Sequence, residues 1–411
     1  MNTQPTPPKG RGALARREAR LAWGLLMPTV ISVSLVVILP LLAIFWISVK
    51  PVGLADLRPT APVMRESLRG EGAEARVEYR LRNSSQDKTI SGLGFSDTLP
   101  GGVTATTAPE GCTLDGQRLD CDFGDVGGGF RATVEVPVTL DGDADALEAA
   151  IEASEPDTRG RADNILTNGQ FTLDNFARIF DGAEFRQTLY ATLFYTVFGT
   201  IGALLFGLLA ALLLDKSFRG QGILRGLYLF PYVSPVIAVA FTWVALFDPF
   251  SGSANALLVQ MGVTETAINF FGQRPLALIM VTVFEIWRYF PLSFLFILAR
   301  MQSIDADMYE AAEMDGASPF QQFWYLSLPQ LLGILSVLFL LRFIWTFNKF
   351  DDIFLLTGGN AGTRTLTVNV YEQAFAISNI GAGAAVAVVI FGCLLGFSFF
   401  FFRYISREEG L

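Results

Sequence analysis

Long apolar runs alternate with polar segments along this chain. Six runs are long enough to cross a bilayer, because about 20 helical residues span its hydrocarbon core. They cover residues 21–49, 189–214, 226–247, 276–298, 331–353 and 381–404. The pattern predicts an all-α polytopic membrane protein with about six transmembrane helices, and the 51% hydrophobic composition agrees with it.

A polar block of residues 52–168 separates the first two runs. Segments 75–82 and 132–138 alternate apolar and polar side chains, which is typical of half-buried strands. We therefore expect an antiparallel β-sandwich inserted between the first and second helices. Residues 169–185 then return the chain to the membrane as an amphipathic interfacial helix, and we expect residues 186–405 to form a core of five further helices.

The distribution of charge predicts the topology. Residues 1–20 form a basic tail that contains Lys9 and several arginines, so the positive-inside rule places it in the cytoplasm. After six crossings Arg403 and Arg407 lie on the same side. The insert then lies in the periplasm, and its excess of acidic residues accounts for the net charge of −9, which is typical of a water-facing unit.

Composition also excludes classes of chemistry. The chain contains no histidine, so it has no histidine metal site, no Ser-His-Asp triad and no histidine general base. No glycine-rich loop ends in Gly-Lys-Ser/Thr, so the chain does not bind ATP through a P-loop. We expect no catalytic residue, no metal and no cofactor on this chain, and no nucleic-acid partner.

The amphipathic segment 310–331 lies between two apolar runs and predicts two short helices. The first is rich in alanine and ends at Gly316, because glycine readily takes the left-handed conformation. The second has Ser318 as its N-cap and Pro319 at its first helical position, and Pro329 opens the next membrane helix. The residues of interest are Glu310, Ala311, Ala312, Asp315, Gly316, Ala317, Phe323 and Pro329.

This pattern of Glu-Ala-Ala, Asp-Gly-Ala, Phe and Leu-Pro resembles the coupling loop in permease subunits of binding-protein-dependent ABC importers. The resemblance implies a multi-pass protein of the bacterial inner membrane that imports a sugar of the maltose or α-glucoside type. Residues 300–330, the coupling loop, would dock on a cytoplasmic ATPase. The implied partners are a second homologous permease, two ATPase subunits that bind ATP and Mg, and a periplasmic sugar-binding protein. Residues 355–360 resemble another family element, with Asn360 where proline is usual.

Polar side chains within two apolar runs are candidates for the solute path, because such groups are costly in a membrane. Helical spacing places one set on a common face of the fourth helix and another on the fifth. The candidates are Glu285, Arg288, Tyr289, Leu292, Trp345, Thr346, Asn348 and Lys349. Alternatively, Glu285–Arg288 and Lys349–Asp352 are internal ion pairs, or these charges reach the interface.

The insert resembles an immunoglobulin-like repeat of bacterial surface proteins over residues 95–103 and the strands that follow. Cys112 and Cys121 flank a turn at hairpin spacing, so in the periplasm we expect them to form a disulfide, the alternative being two free thiols. The insert would contact the binding protein or act as a spacer. Two rival functions stay open: import of glycerol-3-phosphate or an acidic oligosaccharide, and a membrane-anchored adhesion or sensor protein.

Overall fold

The protein divides into two compact units. A computed structural model describes residues 13–70, 72–180 and 183–405. One unit comprises Met1–Val49 and Leu173–Leu411, and the other is Lys50–Thr172, between the first two long apolar helices. Most of the predicted tail lies outside the described residues, but helix already begins at Ala13.

The first apolar run forms one nearly continuous helical stretch. It consists of α1 (Ala13–Val33), a π-helical turn (Ser34–Ile38) and α2 (Leu39–Ser48). Pro28 lies inside α1, and Pro40 lies in the first turn of α2, where its missing N–H is tolerated. Near the end of this stretch Phe45 packs against Phe391, with ring centroids 5.7 Å apart.

The insert contains eight strands in two antiparallel four-stranded sheets. The strands are β1 (Pro62–Arg69), β2 (Arg76–Asn83), β3 (Ile90–Thr98), β4 (Val103–Ala105), β5 (Cys112–Asp115), β6 (Arg118–Val126), β7 (Arg131–Leu140) and β8 (Asp157–Ala162). Helix α3 (Ala144–Glu152) precedes β8, and 3-10 turns cover Leu54–Leu57 and Gly72–Glu74. The first sheet has the order β1-β2-β7-β4 and the second β5-β6-β3-β8.

Both sheets contribute to one hydrophobic core. The alternation predicted for residues 75–82 and 132–138 is present in β2 and β7, where every second side chain is buried. Tyr79 of the first sheet packs on Phe95 of the second, with centroids 5.0 Å apart, and its hydroxyl donates to Asp97 over 2.6 Å. Cys112 and Cys121 lie opposite each other on β5 and β6 and form a disulfide.

The membrane unit continues with twelve α-helices in its described part. They are α4 (Asp174–Phe180), α5 (Ala183–Asp215), α6 (Gln221–Val233), α7 (Val236–Leu246), α8 (Ser253–Gln260), α9 (Leu276–Met301), α10 (Ala306–Met314), α11 (Pro319–Gln322), α12 (Leu328–Phe347), α13 (Asp351–Thr357), α14 (Leu366–Tyr371) and α15 (Ile380–Phe400). Further π-helical turns cover Phe323–Ser327, Glu372–Ala376 and Phe401–Ile405. Within the described ranges, five helices are long and apolar enough to cross a membrane, or six if α6 and α7 count as one.

The third predicted crossing, residues 226–247, is broken. Helices α6 and α7 meet at an angle of 90° around Ser234 and Pro235. Pro235 has no N–H to donate to the carbonyl of Pro231 four residues earlier, so the hydrogen-bond ladder stops there. The prediction of one continuous helix is wrong at this point.

The fifth crossing differs from the predicted range 331–353 at both ends. Continuous helix runs from Pro319 through the π-helical turn to Phe347. Pro329 lies in the first turn of α12, as predicted, but the residues before it are already helical. Pro329 has no N–H to donate to the preceding turn, and the wider π-helical turn before it accommodates this missing hydrogen bond without a break in the helix. Beyond Phe347 the chain turns and starts a separate helix, α13.

Glycines bring α5 and α9 close together. A Cβ at Gly202 would lie 2.3 Å from Cδ1 of Ile286, and a Cβ at Gly207 would lie 2.6 Å from Cβ of Ser293. Small residues permit such close approach of membrane helices, where van der Waals packing supplies much of the association energy. This contact fixes α9, which carries much of the polar cluster described below.

Candidate functional site

The predicted coupling loop contains two capped helices. The side chain of Asp305 caps α10 by accepting from the N–H of Asp307 over 3.1 Å. At the other end Gly316 has φ +79°, and the N–H groups of Gly316 and Ala317 each donate to a carbonyl of the last turn over 2.9 Å. This is the paired bonding of a Schellman motif, which fixes the direction in which the chain leaves the helix.

The second helix of the loop begins with a reciprocal cap. The N–H of Ser318 donates to the Gln321 side chain over 2.8 Å, and the hydroxyl of Ser318 accepts from the N–H of Gln321 over 3.4 Å. The hydroxyls of Tyr309 and Ser327 are hydrogen bonded over 2.9 Å and connect the two halves of the loop. The first predicted short helix is present as α10, and the predicted cap at Ser318 is present as well. The second helix is not a separate short one, because helix continues without a break from Pro319 to Phe347.

The coupling loop exposes apolar side chains. Met314 is 88% exposed, Phe320 71% and Tyr325 78%. Glu310, Ala311, Asp315, Gly316 and Pro329 are exposed, whereas Ala312, Ala317 and Phe323 are half-buried. Large apolar side chains exposed within one short segment are typical of a site that binds another protein or a membrane.

A buried polar cluster lies between α5, α9 and α12. The carboxylate of Glu285 on α9 is fully buried. It accepts hydrogen bonds from Arg342 over 2.5 Å and Thr346 over 2.9 Å, both on α12, and from Tyr195 on α5 over 3.0 Å. One carboxylate therefore connects three membrane helices, and the contact with Arg342 is a buried ion pair.

The alternative pairing of Glu285 with Arg288 is wrong. The guanidinium of Arg288 instead donates to the carbonyls of Pro231 and Ser234, over 3.0 Å each. These carbonyls lie at the break between α6 and α7, where Pro235 leaves the carbonyl of Pro231 without its helical partner. Arg288 thus replaces hydrogen bonding lost at the break and holds the bent pair against α9.

Tyr289 lies among three cations. Its ring centroid is 4.4 Å from Nζ of Lys349, 4.6 Å from the Arg342 guanidinium and 5.6 Å from that of Arg288. Lys349 also lies 3.8 Å from the carboxylate of the fully buried Asp352. The alternative ion pair between Lys349 and Asp352 is therefore present.

The predicted common face on the fifth crossing is only partly present. Asn348 caps α12 and its N–H still donates to the carbonyl of Ile344, so it keeps helical spacing with Trp345, whereas Lys349 lies beyond the end of the helix. Trp345 is 52% exposed, and the side chain of Asn348 is exposed and bonds back to the carbonyl of Ile344. Thr346 is the member of this set that reaches the Glu285 cluster, while Leu292 on α9 is half-buried.

Sequence reasoning missed two members of the cluster. Arg342 lies within the apolar run 331–353, and a charge inside such a run is itself a signal of a buried partner. Tyr195 gave no comparable signal, because tyrosine is common in membrane helices and its hydroxyl meets Glu285 only through the packing of α5 on α9.

Comparison with known proteins identifies the family. The family described as binding-protein-dependent transport system inner membrane component matches residues 203–408, a stretch that includes the coupling loop and most of the polar cluster. The chain belongs to this family. The permease is 36% identical over 220 residues to the Escherichia coli inner membrane ABC transporter permease protein YcjO, covering 53% of this chain and 74% of that protein.

A further relative in sequence and a solved structure are also similar to this chain. The trehalose/maltose transport system permease protein MalF of Thermococcus litoralis is 31% identical over 232 residues, covering 56% of this chain and 78% of the relative. The crystal structure of a bacterial ABC transporter involved in the import of the acidic polysaccharide alginate matches 59% of this permease and 85% of its own chain. Its TM-score is 0.55 and its identity 19%, so this likeness concerns the fold alone.

Proposed function

We propose that this permease is the membrane subunit of an ABC importer for a sugar, most like an oligosaccharide of the maltose or α-glucoside type. The braced coupling loop, within the stretch that matches the family, carries the proposal. It would dock on one of two ATPase subunits, while a second homologous permease completes the path and a periplasmic binding protein delivers the solute. The permease itself catalyses no covalent reaction, and the ATPase subunits hold ATP and Mg.

The geometry supports a mechanical connection between the coupling loop, where the ATPase would bind, and the helices of the proposed solute path. Helix is continuous from Pro319, within the coupling loop, to Phe347. At a rise of about 1.5 Å per residue this stretch is about 40 Å long. Arg342 and Thr346, near its far end, bond to Glu285 on α9. A displacement of the loop would therefore move two membrane helices together when the transporter changes between its inward-open and outward-open states.

The polar residues of the membrane unit divide into two roles under this proposal. Glu285, Arg288 and Thr346 are buried and fixed by bonds to neighbouring helices, so they position the path. Tyr289, Leu292 and Lys349 are half-buried, and Trp345 and Asn348 are exposed. An aromatic ring, an amide and an ammonium suit the C–H faces and hydroxyls of a sugar.

Import of an anionic solute is the alternative function. The local charges favour a neutral sugar over an anionic solute. Arg288 uses its guanidinium on backbone carbonyls, and Lys349 lies within 4 Å of both Asp351 and Asp352. Neither cation is therefore left to neutralise a phosphate or a uronate. A neutral sugar needs no such counter-charge.

The docking proposal is tested by Glu310→Arg and by Gly316→Val. The first reverses a charge on the exposed face of α10, and the second places a β-branched side chain at φ +79°, where only glycine is relaxed. Glu265→Arg is the matched control, because it makes the same charge change in a loop predicted to face the periplasm. We expect both loop variants to lose most ATPase co-purification and solute uptake, while the control keeps both. Normal assembly and uptake in the loop variants would refute the docking role.

For the insert we propose a periplasmic β-sandwich that contacts the binding protein. Deleting residues 59–163 and measuring the affinity of the binding protein for the assembled transporter tests this. A contact role predicts weaker binding, whereas a spacer predicts no change.

A further inference from the structure

The outward face of the first sheet of the insert is unusually basic. Lys50–Thr172 contains 12 basic and 21 acidic residues. Six of those basic residues point outward from β1, β2 and β7, opposite the core-facing side chains. They are Arg65, Arg69, Arg76, Arg80, Arg82 and Arg131. Half of the positive charge of an acidic unit is therefore concentrated on one sheet face.

Two carboxylates neutralise only part of this face. Glu78 lies 2.8 Å from Arg80 and 3.7 Å from Arg69, and Glu135 lies 3.3 Å from Arg76. These contacts all fall toward one end of the strands. At the other end Arg65, Arg82 and Arg131 have no carboxylate within 4.0 Å in the described part of the chain.

The strand register places like charges opposite each other along this face. Arg69 pairs with Arg76 and Glu78 with Glu135, and there carboxylates and guanidinium groups lie close enough to compensate one another. Arg82 pairs with Arg131 across β2 and β7 without such compensation. Neighbouring strands lie about 4.8 Å apart, and directly opposed like charges weaken a sheet. An anionic ligand at this end would relieve the repulsion between Arg82 and Arg131.

Four arginines, Arg65, Arg80, Arg82 and Arg131, line a shallow cavity of about 410 Å³. Its other lining residues are Val63, Leu81, Ala132 and Thr133. None of the outward side chains of β1, β2 and β7 is aromatic. A protein partner commonly inserts an aromatic or apolar anchor, and a neutral sugar commonly stacks on an aromatic ring. A lipid surface is flat and favours protruding apolar residues over a recess.

We propose that this face binds an anionic polysaccharide, a chain with carboxylate or sulfate groups on successive sugars. Each planar guanidinium presents a fork of donors to one such group. Arg65, Arg82 and Arg131 lie on three adjacent strands, so an extended chain crossing the sheet would meet them in turn. This proposal concerns the insert alone and does not depend on which solute the permease imports.

The test uses the full-length protein in nanodiscs, with polygalacturonate as the probe and uncharged pullulan as its neutral counterpart. The triple variant Arg65→Gln, Arg82→Gln, Arg131→Gln removes the three unneutralised charges. The matched control Arg58→Gln, Arg118→Gln, Arg161→Gln removes three exposed arginines that lie off this sheet. We expect the first triple to weaken polygalacturonate binding at least tenfold and the control to change it less than twofold.

A second measurement uses the unaltered protein. Raising NaCl from 50 mM to 500 mM should weaken polygalacturonate binding at least tenfold, since exposed charges are screened at that ionic strength. Four results would overturn the proposal. They are no binding of polygalacturonate, equal binding of pullulan, equal losses in the two triple variants, and binding only to phosphatidylglycerol vesicles, which would identify a lipid surface instead.

Discussion

The ion pair between Glu285 and Arg342 is the contact whose loss we expect to cost most in the membrane unit. The perturbation is Arg342→Met, which keeps an unbranched side chain of similar length and removes the charge. The side chains of Arg342 and Glu285 are 3% and 1% exposed, so water does not reach the carboxylate left behind. Glu285 would keep its bonds from Thr346 and Tyr195 but lose its counter-charge.

The magnitude follows from burial. Removing one partner of a buried ion pair typically costs about 3–5 kcal/mol. Thr346→Val removes a neutral donor from the same carboxylate and should cost about 1.5–3 kcal/mol, because hydrogen bonds to charged groups lie in that range. Replacing both partners, as Glu285→Leu with Arg342→Met, leaves no uncompensated charge. We therefore expect the double variant to recover at least half of the stability that Arg342→Met loses.

The assay is thermal unfolding of the purified permease in detergent, monitored by tryptophan fluorescence. Trp345→Leu serves as the control, because Trp345 lies near the pair on α12 but is 52% exposed. The expected order of unfolding temperatures is control, then Thr346→Val, then Arg342→Met, with the double variant above Arg342→Met. If Arg342→Met were as stable as the control, or if the double variant were the least stable, the pair would not hold these helices together.

Three further predictions concern other parts of the chain. Gly207→Ala should destabilise the membrane unit by about 1–3 kcal/mol, because the new Cβ would lie 2.6 Å from that of Ser293, and thermal unfolding measures this. Partial burial, with the nearby charges of Asp97 and Glu152, raises the pKa of Glu66 to about 7 from 4.5, so the folded insert holds this proton more tightly than the unfolded chain. The insert should then lose stability as pH rises from about 4.5 to about 7, seen as faster proteolysis within residues 50–172. Cys112→Ser should cost the insert about 2–3 kcal/mol, the value expected for a loop of this length, measured by the same proteolysis with and without reductant.

The first two of these predictions have a comparison variant, and reductant serves for the third. Gly392→Ala is also a glycine-to-alanine change in a membrane helix, but no atom lies within 4 Å of its Cβ, so stability should not fall. Glu66→Gln should flatten the pH dependence of the insert. A destabilised Gly392→Ala, or an insert that becomes more stable toward pH 7, would contradict the reasoning. Reductant that leaves the proteolysis of the unaltered insert unchanged would contradict the disulfide prediction.

Local signals in the sequence predicted the capped loop well. Gly316, Ser318 and Pro319 each act through their immediate backbone, so their effect can be anticipated from the residue type and its position. Strands β2 and β7 could be predicted for the same reason, because their alternation of apolar and polar residues is also a local signal. The cysteine pair of the insert lies within one hairpin, and its geometry is therefore also local.

The polar cluster was harder, because its bonds join residues distant in sequence. Glu285 lies 57 residues from Arg342 and 90 from Tyr195. Helical spacing placed Glu285 and Arg288 on one face, but spacing says nothing about which neighbouring helix supplies the partner. The bend of 90° between α6 and α7 then determined where Arg288 would bond. Pro231 and Pro235 indicated where the third crossing could bend, but not the direction of the bend.

The observed pairing changes what a charge inside a membrane helix signifies in this permease. Arg288 and Glu285 are buried and hydrogen bonded, so moving a solute past them would require breaking bonds that hold α5, α6, α9 and α12 together. Tyr289 and Lys349 are enclosed less completely and can change partners at lower cost. The fixed charges therefore position the helices, while the adaptable residues beside them are the better candidates for contact with the solute. The same division agrees with the proposal that the long helix beginning at Pro319 transmits movement, since Arg342 and Thr346 near its far end are bonded to Glu285 on a neighbouring helix.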